Sequence, residues 1–231
     1  MEHKEMQHWQ SAIQQILLEK PEHNQETKLP LGLKNKDPKE LAWILTQAYR
    51  AVVEKRGMEF KDIPEAQIGD IIEDVVTWMR EPKYRSTLFL QGTVGSGKTS
   101  IMRALGIVYS AVGAGYQFCQ AIDICEQYRF LRNGDSNYYA YYKEKEKLLV
   151  DDLGAEPFRF LHYGVDYTPV QDLLDYRYRK QLTTIITTNL TEEQLIERYG
   201  ERCWDRFNEM CTVVLFPGPS YRELLVEDHK D

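Results

Sequence analysis

The sequence predicts an α/β protein built on a parallel sheet flanked by helices, and three observations carry that prediction. Short apolar runs of strand length alternate with helical stripes after Pro82. A glycine-rich loop sits between one such run and a helix, and amphipathic helical patterns precede them all.

Met6, Trp9, Ile13, Ile16 and Leu17 recur at steps of three and four, the spacing of one helical face, and Pro21 closes the pattern. Pro21 to Lys36 is mostly polar and aperiodic, so residues 1–36 read as an N-terminal helix and linker ahead of a main domain over 37–231. Asp37, Pro38 and Glu40 supply an N-cap, a proline at the first helical position and a capping-box carboxylate. Leu41, Ile44, Leu45, Ala48, Val52 and Val53 then share a face until Gly57. Ile68, Ile71, Ile72, Val75, Val76 and Met79 repeat the stripe between Pro64 and Pro82, completing a helical lead-in over 37–82. Over 83–231 the strand candidates are Thr87 to Gln91, Tyr116 to Gln120, Leu148 to Asp151, Thr183 to Thr188 and Thr212 to Phe216. No internal repeat or low-complexity tract interrupts them.

At about 150 residues per domain, 231 residues suit one main domain with an appendage. With 42% hydrophobic residues the chain can bury a core. Its net charge of −7 excludes nucleic-acid binding through a uniformly basic surface, leaving local contacts or contacts made by an assembly. The first residues contain no signal-like apolar segment, and no run approaches the roughly 18 apolar residues of a membrane span, so a cytoplasmic protein is expected. Cys119, Cys125, Cys203 and Cys211 form no C-x-x-C pair, which points to reduced thiols rather than zinc or disulfides.

The chemistry begins at Gly92-Thr93-Val94-Gly95-Ser96-Gly97-Lys98-Thr99, a G-x-x-x-x-G-K-[ST] loop. It follows the strand Leu88 to Leu90 and precedes the helical stripe Ile101, Leu105, Val108, Val112, the context that phosphate cradling requires. Glycines let successive N–H groups turn toward phosphates without Cβ clashes, and the helix N-terminus adds partial positive charge. Lys98 is assigned to the β- and γ-phosphates, Thr99 to Mg²⁺, and Ser100 completes the nucleotide-contacting run. The competing reading is a chance glycine-rich turn. Leu148-Leu149-Val150-Asp151-Asp152 ends an apolar strand in two carboxylates. Asp151 is expected to hold Mg²⁺ through water and Asp152 to activate the attacking water, against the plainer alternative of turn aspartates before Gly154. Side chains adjacent on a strand face opposite ways, so both serve one site only if the chain turns at Asp152.

Taken with Ile186-Thr187-Thr188-Asn189, the stretch Gly200 to Arg206 and Ser220-Tyr221-Arg222, these pieces make the chain resemble an AAA+ ATPase of the DnaC/IstB family of helicase loaders and transposition helpers over about Gly57 to Arg222. The resemblance implies an ASCE-type P-loop NTPase sheet with an N-terminal helical extension and a truncated C-terminal lid, nine residues following Arg222. It implies a catalytic set of Lys98, Asp152, a water-orienting Asn189, an arginine finger Arg206 with Arg202 one turn earlier, and a second sensor Arg222. The plainer readings are a turn asparagine before the N-cap Thr191, with Gln194 closing its box, and an exposed helix salted by Glu201 and Asp205.

The function implied is an assembly-activated ATPase using ATP and Mg²⁺, acting as a replicative helicase loader, self-associating, with a helicase partner and single-stranded DNA contact. The alternatives are a transposition helper that recruits a transposase and an ATP-stabilised adaptor with little turnover. A GTPase would need a base-reading Asn-Lys-x-Asp, which is missing, and a small-molecule kinase would leave Asn189 and the arginines unexplained. Helicase loaders with a cysteine-rich N-terminal zinc module differ from this chain, where no cysteine precedes Cys119. That leaves the Met6 to Leu17 helix open as a helicase contact or as core packing. Tyr138, Tyr139, Tyr141 and Tyr142, with Lys143, Lys145 and Lys147, offer base stacking, but Glu144 and Glu146 offset the charge and aromatic runs usually pack on a sheet. Arg177, Arg179 and Lys180 read as a solvated basic face, with DNA contact the alternative.

Overall fold

The computed structural model describes residues 3–18, 33, 36–58, 60, 65–80, 86–132, 138–157, 159–162 and 164–218. The chain divides into two compact units. One comprises Met1–Pro82, Thr93–Tyr116 and Val214–Asp231, and the other Lys83–Gly92 and Gln117–Val213.

The first unit is helical. Helices α1 (His3–Leu18) and α2 (Pro38–Glu54) pack on each other, and both pack on α4 (Lys98–Ala111), while α3 (Glu65–Arg80) packs on α2. Each predicted stripe is the buried one: Trp9, Ile13 and Ile16 in α1, Leu41 to Val53 in α2, Ile68 to Met79 in α3. At roughly 1.5–3 kcal/mol per large apolar side chain, this burial outweighs the weak intrinsic stability of such helices. The apolar face of α1 is thus occupied by α2 and α4, which favours core packing over helicase docking for that face. Lysines join the pieces at polar points. Lys36 Nζ donates to Glu5 at 2.8 Å and Glu40 at 2.5 Å, and Lys55 Nζ caps the C-terminus of α1 at Leu17 O, 2.5 Å away. The expected capping box on α2 is half made: Asp37 accepts from the N–H of Lys39, but Glu40 turns to Lys36 instead of the cap because an ion pair is available there.

The second unit holds β1 (Thr87–Gly92), β2 (Gln117–Gln120), α5 (Ala121–Arg132), α6 (Tyr138–Glu144), β3 (Lys147–Leu153), the hairpin β4 (Phe160–His162) and β5 (Val165–Tyr167), α7 (Pro169–Arg179), β6 (Thr183–Thr188), α8 (Glu192–Tyr199) and α9 (Glu201–Met210). Strand β7 (Cys211–Phe216) follows, and the sheet order is β2-β3-β6-β1-β7. The pairs β1/β6, β3/β6 and β2/β3 are parallel. The acidic strand β3 is therefore separated from β1 by an intervening strand, which is the ASCE arrangement expected. The sequence reading places neither the hairpin nor helices α5 and α6, although Ala121, Ile124, Cys125 and Tyr128 of α5 bury the i, i+3, i+4, i+7 stripe of one helical face.

Two side-chain groups read one way in sequence take other positions in the fold. Arg177 is not on a solvated face but fully buried. It donates to the carbonyls of Tyr142 at 2.9 Å, Lys143 at 3.2 Å and Lys145 at 2.7 Å at the end of α6, to Thr183 O at 2.7 Å and to Thr184 Oγ1 at 2.9 Å. A guanidinium is the one side chain able to satisfy so many acceptors at once. The tyrosine run splits by helical period: Tyr139 and Tyr142 are buried, Tyr138 and Tyr141 exposed.

Candidate nucleotide site

In the first unit the glycine loop runs into α4 through residues that need left-handed backbone: Gly95 has φ +82° and Gly97, the N-cap, φ +97°. The Lys98 side chain is folded into the loop and buried, its ammonium donating to Thr93 O at 2.6 Å and Ser96 Oγ at 3.3 Å. Ser96 Oγ also donates to Thr93 O at 2.8 Å, and Thr93 Oγ1 to Gly218 O at 2.9 Å. These contacts shape the loop around the Lys98 cation. Thr99 is half-buried in the first turn of α4, and Ser100 is buried beside it. Val94 is exposed at the loop tip.

In the second unit β3 departs from regular pairing with β6 between Val150 and Leu153. The cause is Asp152, in the left-handed region at φ +56°, followed by Gly154 at φ +102°. The chain thus turns at Asp152, the condition under which two adjacent carboxylates can address one site. Asp151 is buried and accepts from Thr187 Oγ1 at 2.6 Å, while the same hydroxyl accepts from the Asp152 N–H at 2.8 Å. Thr187 is a positioning residue that sequence reasoning passed over. Nothing in the run Thr183-Thr184-Ile185-Ile186-Thr187-Thr188 separates it from the other three threonines.

Further along, Thr188 Oγ1 donates to Leu153 O at 2.7 Å and accepts from the Leu190 N–H at 3.1 Å. Gln91, at the end of β1, donates to Leu190 O at 2.7 Å. Asn189 is held exposed between these stitches, and Thr191 with Gln194 forms the full capping box on α8 that leaves the asparagine amide out of the capping role. Glu156 is buried and anchors the segment after the acids. Its carboxylate accepts from the Gly154 N–H at 2.8 Å and from the Tyr199 hydroxyl, and lies 3.4 Å from Arg198, whose guanidinium also donates to Glu156 O. Burial, reinforced by the Glu156 charge, pushes the Tyr199 phenol well above its usual range, so it stays a neutral donor.

On α9, Arg202 is exposed, and Arg206 one turn later is ion-paired with Asp175 of α7, its guanidinium 5.7 Å from the Tyr178 ring centre. Arg222 lies outside the described residues, as does the expected truncated lid. No group of three or more His, Cys, Asp or Glu suited to hold a metal occurs among the described residues. Thr99 carries a hydroxyl in the first turn of α4, and Asp151 a buried carboxylate near the end of β3; each is the hard oxygen donor that suits Mg²⁺. All four cysteines are buried thiols, and no helix among the described residues is long and apolar enough to cross a membrane.

No family model matches the chain, and no curated protein matches its sequence. Solved structures do. The chain is similar to the crystal structure of the DnaC helicase loader at 20% identity and TM-score 0.55, covering 67% of this chain and 92% of that one. It is similar to DnaI at 23% identity and TM-score 0.52, covering 66% and 83%. With AMPPCP-bound DnaA from Aquifex aeolicus the identity is 20% and the TM-score 0.51, covering 72% of this chain and 51% of that one. The parallel five-stranded sheet, its strand order and these likenesses give the chain the AAA+ P-loop NTPase fold.

Proposed function

We propose that the protein is an ATP-binding and ATP-hydrolysing AAA+ switch of the replicative-helicase-loader type, acting in DNA replication. The observation that carries the reading is the phosphate loop with its lysine already folded inward, on a sheet whose acid-bearing strand is one strand removed from the loop's own. The loop N–H groups and Lys98 bind the triphosphate. Thr99, and Asp151 through water, would hold Mg²⁺, which would supply charge neutralisation for the triphosphate. Asp152, turned out of the strand, takes the proton of the attacking water, and Asn189 orients that water.

Arg206 acts on the nucleotide of a neighbouring subunit. Its pairing with Asp175 within its own chain supports low turnover before assembly, because the guanidinium must exchange that partner for phosphate. An arginine finger contributes roughly 10³ to 10⁵ in rate, so assembly is the switch. The likeness to a helicase loader supports a helicase partner and single-stranded DNA contact, and a cytoplasmic location accords with that role.

The test is ATP turnover by the wild-type chain, by Lys98→Ala, and by wild type mixed with Arg206→Ala, each with and without single-stranded DNA. Turnover that is abolished by Lys98→Ala and falls per wild-type subunit as Arg206→Ala is added supports the reading. Turnover indifferent to both changes refutes it, and binding without turnover under every condition identifies an adaptor instead.

A further inference from the structure

Glu156 is a buried carboxylate that the chemistry proposed above does not use. Burying such a group is costly unless several polar partners meet it, and the partners of Glu156 come from two directions. One is the acid turn: the Gly154 N–H donates to Oε2 at 2.8 Å, just after Asp152 takes left-handed backbone at φ +56°. The other is the last turn of α8. The Tyr199 hydroxyl donates to Oε1, the Arg198 guanidinium lies 3.4 Å from the same oxygen, and that guanidinium also donates to the Glu156 carbonyl. One side chain thus bridges the end of the acidic strand to the end of α8.

Both ends of that bridge are seated on something further. A Cβ at Gly154 would overlap the Leu190 side chain, so the acid turn lies directly against the residue that follows Asn189. At the other end Tyr199 closes α8 and meets α9 through its ring, which stands edge-on to Phe207 with the centroids 6.4 Å apart. Phe207 is buried and directly follows Arg206 in the chain. Gly200, at φ +84°, turns the backbone between the two helices, and Trp204 Nε1 of α9 donates to Glu192 of α8 at 2.9 Å. Gln171 of α7 donates to the Tyr199 carbonyl at 3.2 Å. The two helices hold to each other, so the place of Tyr199 sets the place of the helix that bears Arg206.

We infer that Glu156 is a positioning residue for two groups at once, holding the acid turn that carries Asp152 and, through Tyr199 and Phe207, the helix that presents Arg206. The inference rests on the ATPase reading above and deepens it. Asp152 serves the chain's own nucleotide and Arg206 the neighbour's, so one buried carboxylate sets the geometry of two sites in an assembly. Misplacing a reacting group by about 1 Å costs on the order of 10²-fold in rate. The partners of Glu156 belong to β3 and α8 rather than to the glycine loop, so the signature is lost turnover at unchanged nucleotide affinity.

The test is steady-state ATP turnover and binding of a fluorescent ATP analogue by the full chain, for wild type, Glu156→Gln and Tyr199→Phe, below their unfolding temperatures. Glutamine matches the carboxylate in size but turns one acceptor into a donor, and phenylalanine keeps the ring on Phe207 and removes only the hydroxyl. Should Glu156→Gln fail to fold, Tyr199→Phe carries the test. The expected result is a fall in kcat of about tenfold in Glu156→Gln and a smaller fall in Tyr199→Phe, each with affinity within about twofold of wild type. A second arm mixes wild type with an excess of a chain that has no working site of its own: Lys98→Ala, Lys98→Ala/Glu156→Gln, or Lys98→Ala/Arg206→Ala. The donor carrying Glu156→Gln should lower turnover per wild-type subunit about tenfold below the Lys98→Ala donor, because its Arg206 is misplaced. Wild-type kcat in both single variants, a loss that appears only as weaker binding, or two donors that act alike with and without Glu156→Gln each overturn the inference. No turnover by wild type, full turnover by Lys98→Ala, or a donor lacking Arg206 that acts like the Lys98→Ala donor would instead refute the underlying ATPase or arginine-finger reading, and Glu156 with it.

Discussion

Thr187→Val removes one hydroxyl and changes almost nothing else in shape, yet that hydroxyl makes two bonds that hold the acidic turn. It donates 2.6 Å to the buried Asp151 carboxylate and accepts the Asp152 N–H at 2.8 Å. A hydrogen bond to a charged group is worth about 1.5–3 kcal/mol, and a backbone N–H left without its acceptor costs about 1–3 kcal/mol. Asp152 is only half-buried and water relieves part of the second cost, so the sum expected is about 3 kcal/mol. For a chain of this size that lowers Tm by roughly 6–12 °C. The left-handed Asp152 also loses the contact that fixes its backbone, so kcat should fall by about 10- to 100-fold while nucleotide affinity, set on the glycine loop, holds. Thermal and urea unfolding measure the first quantity and steady-state ATPase the second, with Thr187→Ser as the variant that keeps the hydroxyl and recovers both. If Thr187→Val unfolds within 0.5 kcal/mol of wild type (about the scatter of a neutral surface change), the hydroxyl does not hold the turn and the reasoning fails.

Arg177→Lys should destabilise by about 2 kcal/mol or more despite keeping the charge, because an ammonium has three donors and no fork to meet the acceptors that Arg177 satisfies. Burial draws Arg177 down to about 10, still charged at neutral pH, so chemical unfolding at pH 7 reads the whole effect; a loss below 0.5 kcal/mol would sink the argument. Burial also pushes the Cys125 and Cys203 thiols up to about 11, so below pH 9 they are almost wholly protonated and shielded. A thiol-specific chromogenic reagent at pH 8 should leave both unlabelled in the folded protein and label them on unfolding, and rapid labelling of either in the native state contradicts their placement.

Much of this protein was readable in one dimension. Helical stripes such as Ile68, Ile71, Ile72, Val75, strand runs such as Leu148 to Val150, and the glycine spacing of the phosphate loop are local signals, because burial on one face and backbone freedom at a turn each constrain a short window of residues. The resemblance carried by Gly200 to Arg206 and its neighbours named a family, and the fold agrees. What no window of sequence contains is the partner across space. Arg177 resembles any surface arginine until α6 and β6 close around it, Thr187 any strand threonine until the acids of β3 turn beside it, and Glu40 any capping-box glutamate until Lys36 offers an ion pair. Polar side chains take their roles from whichever donor or acceptor the packed chain brings within 3 Å, whereas apolar ones need only a face to leave water, and that difference divides what could be read along the chain from what had to be seen in the folded molecule.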